Sequence, residues 1–99
     1  MLYVENRGTI LITPASIADI IYSKAARLHD QGKKTVCFFA YEVEDLVYKN
    51  TGIHQMVDEY DLHRVSAIVA DCRNIQSVKV VGDTDEYTPD CRLTITFAD

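Results

Sequence analysis

The sequence contains few of the residues that mark fibrous, low-complexity or membrane-spanning chains. Its 99 residues include no tryptophan, 2 prolines and 4 glycines. So few glycines and prolines exclude a collagen-like or low-complexity chain, and the longest apolar runs are much shorter than the roughly 20 residues that cross a bilayer. Hydrophobic residues make up 47% of the chain, which suffices for one modest core. We therefore expect a single domain over residues 1–99, without membrane association.

Positive charge is also scarce. Lysine and arginine number 10 against 15 acidic residues, which gives a net charge of −5. All of this excess falls in residues 51–99, where four basic side chains face nine acidic ones. Phosphate backbones are bound by clustered lysine and arginine, and the only adjacent basic pair is Lys33-Lys34, so nucleic-acid binding is not expected. The acidic second half suits a basic partner, or it merely keeps a small protein soluble.

Nothing at the start of the sequence resembles an export signal. Residues 1–8 lack a basic stretch followed by an apolar one, so we expect a cytoplasmic location. Three cysteines, Cys37, Cys72 and Cys91, make an odd and widely spaced set. In a cytoplasmic chain such cysteines are expected to be reduced thiols rather than a disulfide framework.

The first half of the chain predicts strand, helix, strand and helix in that order. Two β-prone runs around residues 6–8 predict a hairpin or one bulged strand. Thr13-Pro14 resembles a helix N-cap followed by proline at the first helical position, and apolar residues at helical spacing extend the predicted helix over 14–31. The apolar run at 35–40 predicts a strand that is covered on both faces and central in the sheet.

The second half predicts further helix and then strands. Helical spacing begins at Tyr41 and Gly52 is placed to end it, although residues 41–43 would also extend the preceding strand. A second short helix is predicted over 53–61. Three strand-like runs, 65–70, 76–81 and 91–97, predict a C-terminal antiparallel meander. Together these elements predict an α+β domain, a small two-layer sandwich with helices on one face of a mixed sheet.

No motif with the spacing of a metal or phosphate site is present. The run Gly32-Lys33-Lys34-Thr35 lacks the earlier glycine of a phosphate-binding loop and joins a helix to a strand, which is the reverse order. His54, His63 and Cys72 lie nine residues apart, whereas metal ligands usually begin with a close pair. Neither a metal nor a cofactor is therefore expected.

The case for an enzyme is also weak. Covalent catalysis needs a nucleophile with a base beside it, and the only candidates are Cys72 or Cys91 with one of the three histidines. Each thiol is flanked by an aspartate and an arginine, whose charges have opposite effects on its reactivity. We therefore predict no catalytic residue, and a binding protein is favoured over an enzyme.

Two sets of residues are candidates for a protein interface. Tyr41 and Tyr48 lie seven residues apart, on one face of the predicted helix, and tyrosine combines apolar area with a polar tip. Asp83, Asp85 and Glu86 belong to an acidic stretch without a base, which suits a basic partner. The alternative interpretation of each set is structural, as core packing for the tyrosines and as a solvated hairpin loop for the acids.

These patterns favour a non-enzymatic interaction or regulatory module that binds a protein through its acidic half. An oligomer is expected because a sheet edge in so small a domain needs a partner strand. The alternative hypothesis is that the protein binds a nucleotide or another anionic metabolite between subunits. In that case Arg64, Arg73 or Arg92 would meet the anionic group.

Overall fold

The computed structural model describes residues 12–82 and 91–99. They form an α+β domain with three helices and a three-stranded antiparallel sheet, so the fold class predicted from the sequence is confirmed. The elements in chain order are α1 (Pro14–Asp30), β1 (Thr35–Phe39), α2 (Ala40–Thr51), α3 (Glu59–Ala70), β2 (Ile75–Val81) and β3 (Arg92–Phe97). The predicted N-terminal hairpin or bulged strand lies outside the described residues, apart from its last residue, Ile12.

Helix α1 begins where its sequence predicts. Thr13 has extended backbone angles, and its side-chain oxygen accepts a hydrogen bond from the Ser16 backbone N–H at 3.2 Å. Pro14 follows at the first helical position, where a missing N–H costs no helical hydrogen bond. The buried side of the helix consists of Ile17, Ala18, Ile21 and Ala25.

Strand β3 is the centre of the described sheet, whose order is β1-β3-β2. Its side chains alternate: Leu93, Ile95 and Phe97 are buried, and the residues between them are partly exposed. This period of two is typical of a strand with one face on the core. The predicted cover on both faces of 35–40 is wrong, because Cys37 on the outer face of β1 is exposed. Among the described strands β1 pairs with β3 alone. The predicted N-terminal strand lies outside the described residues, so the central position of β1 stays a prediction. All described pairings are antiparallel, so the mixed sheet is not found there.

Two predicted elements are corrected by the structure. Residues 65–70 belong to α3 instead of a strand, because Leu62, Val65 and Val69 are buried at helical spacing. Residues 53–58 are not helical, since α3 starts only after Asp58. The Asp58 carboxylate accepts from the Asp61 N–H at 2.8 Å and the Asp61 carboxylate accepts from the Asp58 N–H at 3.2 Å, a reciprocal cap that sets the first turn.

The chain passes from β1 into α2 without a loop. Phe39 ends the strand, and Ala40 begins the helix while its N–H donates to the Cys91 carbonyl at 3.0 Å. Tyr41 therefore belongs to the helix and does not extend the strand. One core lies between the helices and the sheet, and its fully buried large side chains include Ile17, Ile21, Val43, Leu62, Leu93, Ile95 and Phe97.

Candidate functional site

The outer face of α2 carries two tyrosines that are two helical turns apart. Val43 and Val47 are buried on the inner face of this helix. Tyr41 is 67% exposed and Tyr48 is 43% exposed. Residues at i, i+3, i+4 and i+7 share one side of a helix, so the outer side is formed by Tyr41, Glu44, Asp45 and Tyr48.

The position of Tyr41 is fixed by the junction between β1 and α2. The Phe39 N–H donates to the Glu42 carboxylate at 2.9 Å, which satisfies a backbone donor at the helix start. The Phe39 ring stacks on the Tyr41 ring with centroids 5.6 Å apart, and the Arg92 guanidinium lies 5.9 Å from the Phe39 centroid. The Tyr41 ring is therefore oriented by its stacking on Phe39, while most of the side chain is exposed to solvent.

The segment between α2 and α3, residues 53–58, lies alongside α2. Gly52 ends the helix with φ +76° and lets the chain reverse. The Val57 N–H then donates to Glu44 Oε2 at 2.8 Å, and the His54 ring stacks on the Tyr48 ring at 4.0 Å between centroids. These two contacts bring His54 next to the outer face of α2.

An open pocket of about 210 Å³ results, which we call the tyrosine pocket, lined by Tyr41, Glu44, Asp45, Tyr48 and His54. Asp45 Oδ2 lies 3.0 Å from Lys49 Nζ, and both side chains are more than half exposed. Tyrosine rings attract cations through their negative faces, and carboxylates do so through their charge. The pocket is thus suited to a positively charged group and unsuited to an anion.

A second cavity, of about 220 Å³, lies at the start of α1 and includes Arg64 in its lining. The Gln55 side chain lies in its wall and binds both backbone groups of Ile12: Oε1 accepts from the N–H at 2.6 Å and Nε2 donates to the carbonyl at 3.0 Å. Asp61 also lines this cavity, so the Arg64 charge there is opposed by a carboxylate. We call it the Gln55 cavity.

The three arginines that the sequence suggested as anion ligands do not share a site. Arg92 begins β3, where it pairs with Phe39 of β1. Arg73 lies near the opposite end of that sheet, since Ile75 pairs with Phe97 at the last residue of β3. Arg64 is on α3 in the Gln55 cavity. The arginine hypothesis remains a prediction, now of three separate positions.

The three thiols differ in exposure, and none forms a disulfide. Cys37 is exposed, Cys91 is buried, and Cys72 lies between these extremes. Partial burial raises the pKa of the Cys72 thiol, and the charges of Asp19 and Asp71 raise it further. Less thiolate, and therefore lower nucleophilicity, follows from a raised pKa.

The described histidines are engaged with other groups. His29 stacks on Phe97 at 4.2 Å and its Nε2 lies 2.8 Å from the Asp99 backbone oxygen. His63 lies 3.5 Å from the Glu59 carboxylate one helical turn earlier. Within residues 12–82 and 91–99, no group of three or more histidine, cysteine or acidic side chains is arranged to hold a metal ion.

The predicted interface residues fare differently. Tyr41 and Tyr48 are brought together in one pocket, whereas Asp83, Asp85 and Glu86 lie outside the described residues. Sequence reasoning missed Glu44, Asp45 and His54. The first two were recoverable from helical spacing alone, but His54 carried no local signal, because its position depends on the reversal at Gly52.

No protein-family model, curated protein or solved structure matches this chain. Among the helices in the described part of the chain, none has the length and apolarity needed to cross a bilayer. The fold and the site by themselves define a small α+β domain with an open, acidic and aromatic pocket on α2.

Proposed function

We propose that this domain is a non-enzymatic interaction module that binds a basic segment of a partner protein through the tyrosine pocket. One observation carries the proposal: Tyr41 and Tyr48 lie on the outer face of α2, both exposed to solvent and both lining the same pocket. Aromatic residues are enriched in protein interfaces and dominate their binding energy. Two exposed tyrosines in one concave site are therefore a better anchor for a partner than scattered surface residues.

Charge supports a basic partner. Glu44 and Asp45 lie between the two tyrosines in the pocket lining, against one lysine beside them, Lys49. The whole chain carries a net charge of −5, which attracts positively charged molecules at long range and speeds their encounter. These two carboxylates belong to the first half of the chain, so they add to the acidic second half, residues 51–99, that the sequence suggested as the partner surface.

The remaining parts of the proposal are the location and the assembly of the protein. Three thiols without a disulfide support a reducing compartment such as the cytoplasm. Self-association is proposed through an edge of the sheet, where β1 and β2 each border only β3 among the described strands, since an edge strand can pair with a second chain. A regulatory role would follow from competition between partners for one pocket.

The test compares three short peptides of equal length, one rich in arginine and lysine, one rich in aspartate and glutamate, and one of glycine and serine. Each is titrated into ¹⁵N-labelled protein while amide chemical shifts are followed. We expect the basic peptide alone to shift the amides of α2 and of residues 53–58, and salt to weaken the effect. Shifts confined to another part of the molecule, or no shifts with any peptide, would refute the proposal.

A matched pair of variants ties the binding to the pocket. Replacement of both Tyr41 and Tyr48 by serine should lower the affinity for the basic peptide by at least about tenfold, because each anchor residue contributes more than about 1 kcal/mol to binding. Tyr60→Ser is the control, since Tyr60 is also 67% exposed but is not part of the pocket lining. It should bind as the original protein does.

A second candidate function is the binding of a small anionic metabolite, for which the one favourable observation is Arg64 in the lining of the Gln55 cavity. A bound ligand raises the melting temperature of the folded state. A panel of nucleotides and carboxylic acids should then raise the melting temperature of the original protein but not of Arg64→Ala. If no compound does so, this candidate is excluded.

A further inference from the structure

We infer that the tyrosine pocket receives a single arginine or lysine side chain of the partner, which takes the place of Lys49 at the Asp45 carboxylate. This inference rests on the proposed function, because it names the group by which the basic segment is held. It also proposes that Lys49 competes with the partner's side chain for the Asp45 carboxylate. The pocket of about 210 Å³ is smaller than the roughly 300–1,000 Å³ that holds a drug-sized molecule, so one side chain is the appropriate occupant.

The ion pair between Asp45 and Lys49 carries the argument. Its 3.0 Å distance places a lysine ammonium group beside a carboxylate of the pocket lining. The pair joins residues one helical turn apart, with side chains that are 58% and 67% exposed. Exposed pairs of this kind contribute little, about a factor of two in an equilibrium constant. A partner cation that also meets an aromatic ring can therefore replace Lys49 at small cost.

The two tyrosine rings offer a cation–aromatic contact that Lys49 does not make. The pocket lining includes both Tyr41 and Tyr48. A cation over a tyrosine face binds about 2 to 30 times more tightly than one without that contact, depending on how far it is desolvated. The cation–aromatic contacts of the described residues involve Arg64 and Arg92 and not Lys49, which is paired with the Asp45 carboxylate. An incoming guanidinium or ammonium gains the aromatic contact as well as the carboxylate.

Glu44 contributes charge while it keeps a structural bond. Its Oε2 accepts from the Val57 N–H at 2.8 Å, and a carboxylate has acceptor capacity at both oxygens. Glu44 therefore keeps its hydrogen bond to the segment 53–58 while its negative charge adds to that of Asp45 in the pocket. Two carboxylates against one resident lysine leave a net negative pocket.

The ligand test uses two matched pairs of short glycine-serine peptides with one central residue that differs. Arginine is compared with citrulline, its neutral isostere, and lysine with norleucine. Titration is followed by the amide shifts of Tyr48 and His54. We expect each charged peptide to bind at least about fivefold more tightly than its neutral counterpart. Equal binding within a pair would overturn the inference.

The protein test uses Lys49→Met, which removes the charge, keeps a long side chain and preserves a residue with good helix propensity. Its affinity for the arginine peptide should rise by about twofold, the value of an exposed helical ion pair. Lys33→Met removes the same charge outside the pocket lining and controls for net charge. Asp45→Asn should lower the affinity. No gain in Lys49→Met, or an equal gain in Lys33→Met, would show that Lys49 does not compete.

The outcomes separate the inference from the proposed function. If a peptide with several basic residues binds at the tyrosine pocket but arginine and citrulline peptides bind alike, the interaction module stands and the single-cation inference fails. If the multiply basic peptide leaves the α2 amides unshifted, the proposed function itself fails. Circular dichroism of each variant confirms that the helices are intact, so that a changed affinity reports on binding.

Discussion

His54 and Gln55 are neighbours in the chain, yet their side chains make contacts on different sides of the segment between α2 and α3. Gln55 binds the N–H and the carbonyl of Ile12, which joins the segment to the start of α1. His54 stacks on Tyr48 and lines an open pocket. The Gln55 side, which we call the closed side, is fixed by directional hydrogen bonds to backbone. The His54 side, the open side, is fixed only by a ring contact next to solvent. Such a division lets the open side change its contacts without loss of the fold.

The largest expected effect is on the closed side. Gln55→Ala removes both hydrogen bonds and leaves two partly buried backbone groups of Ile12 without them. We expect the free energy of unfolding to fall by about 2 kcal/mol, as measured by urea denaturation. Gln76→Ala, at an exposed position of β2, should be nearly neutral. Equal stabilities of the two variants would mean that the Gln55 bonds do not hold the segment.

Gly52→Ala tests the reversal that places both side chains. Gly52 has φ +76°, a left-handed conformation that costs other residues about 1 to 2 kcal/mol. Nothing lies within 4 Å of a Cβ added there, so the loss of stability should reflect backbone strain alone. Gly52→Asn should lose less than Gly52→Ala, because asparagine tolerates this conformation better. Thermal unfolding measures both, and the reverse order would contradict the strain argument.

The elements that were predictable from sequence are those with local signals. The Thr13-Pro14 cap fixes the start of α1 through bonds within four residues, and the tyrosine spacing on α2 needs only a helical period. By contrast, the second half of α3 resembles a strand in sequence, because residues 65–70 are β-branched or small and Ser66 is the only polar one. The inward spacing of Leu62 with Val65 was the better guide.

The parts of the site that were not predictable depend on distant contacts. Gln55 meets Ile12 across 43 positions of sequence, and His54 meets Tyr48 only because Gly52 turns the chain back. No pattern in one sequence specifies either pairing. The central place of β3 is partly of the same kind. Its antiparallel pairing with β2 follows from the predicted meander, but its pairing with the distant β1 does not.

A pair of tyrosines sharpens the contrast between closed and open surfaces. The Tyr22 hydroxyl donates to the Arg73 carbonyl at 2.7 Å, linking α1 to the turn before β2, whereas Tyr41 is 67% exposed. Tyr22→Phe should lower the free energy of unfolding by about 1 kcal/mol. Tyr41→Phe should change it by less than about 0.5 kcal/mol, as exposed substitutions usually do. Denaturant titrations of the two variants distinguish these values, and equal losses would contradict the distinction.

The smallest expected effect concerns two thiols that differ in exposure, Cys37 and Cys72. Cys37 is exposed on β1, while burial and two aspartates raise the pKa of Cys72 from its ordinary 9.0. Because only the thiolate reacts with iodoacetamide, Cys37 should be alkylated before Cys72 at about pH 8, as read by mass spectrometry of digested protein. The raised pKa also means that the unfolded thiol ionises first as the pH rises past 9.0. Cys72 should therefore lower the stability of the fold in that alkaline range, and Cys72→Ser should reduce this loss. Faster alkylation of Cys72 than of Cys37 would show that its environment activates the thiol, and would revive a catalytic role for it.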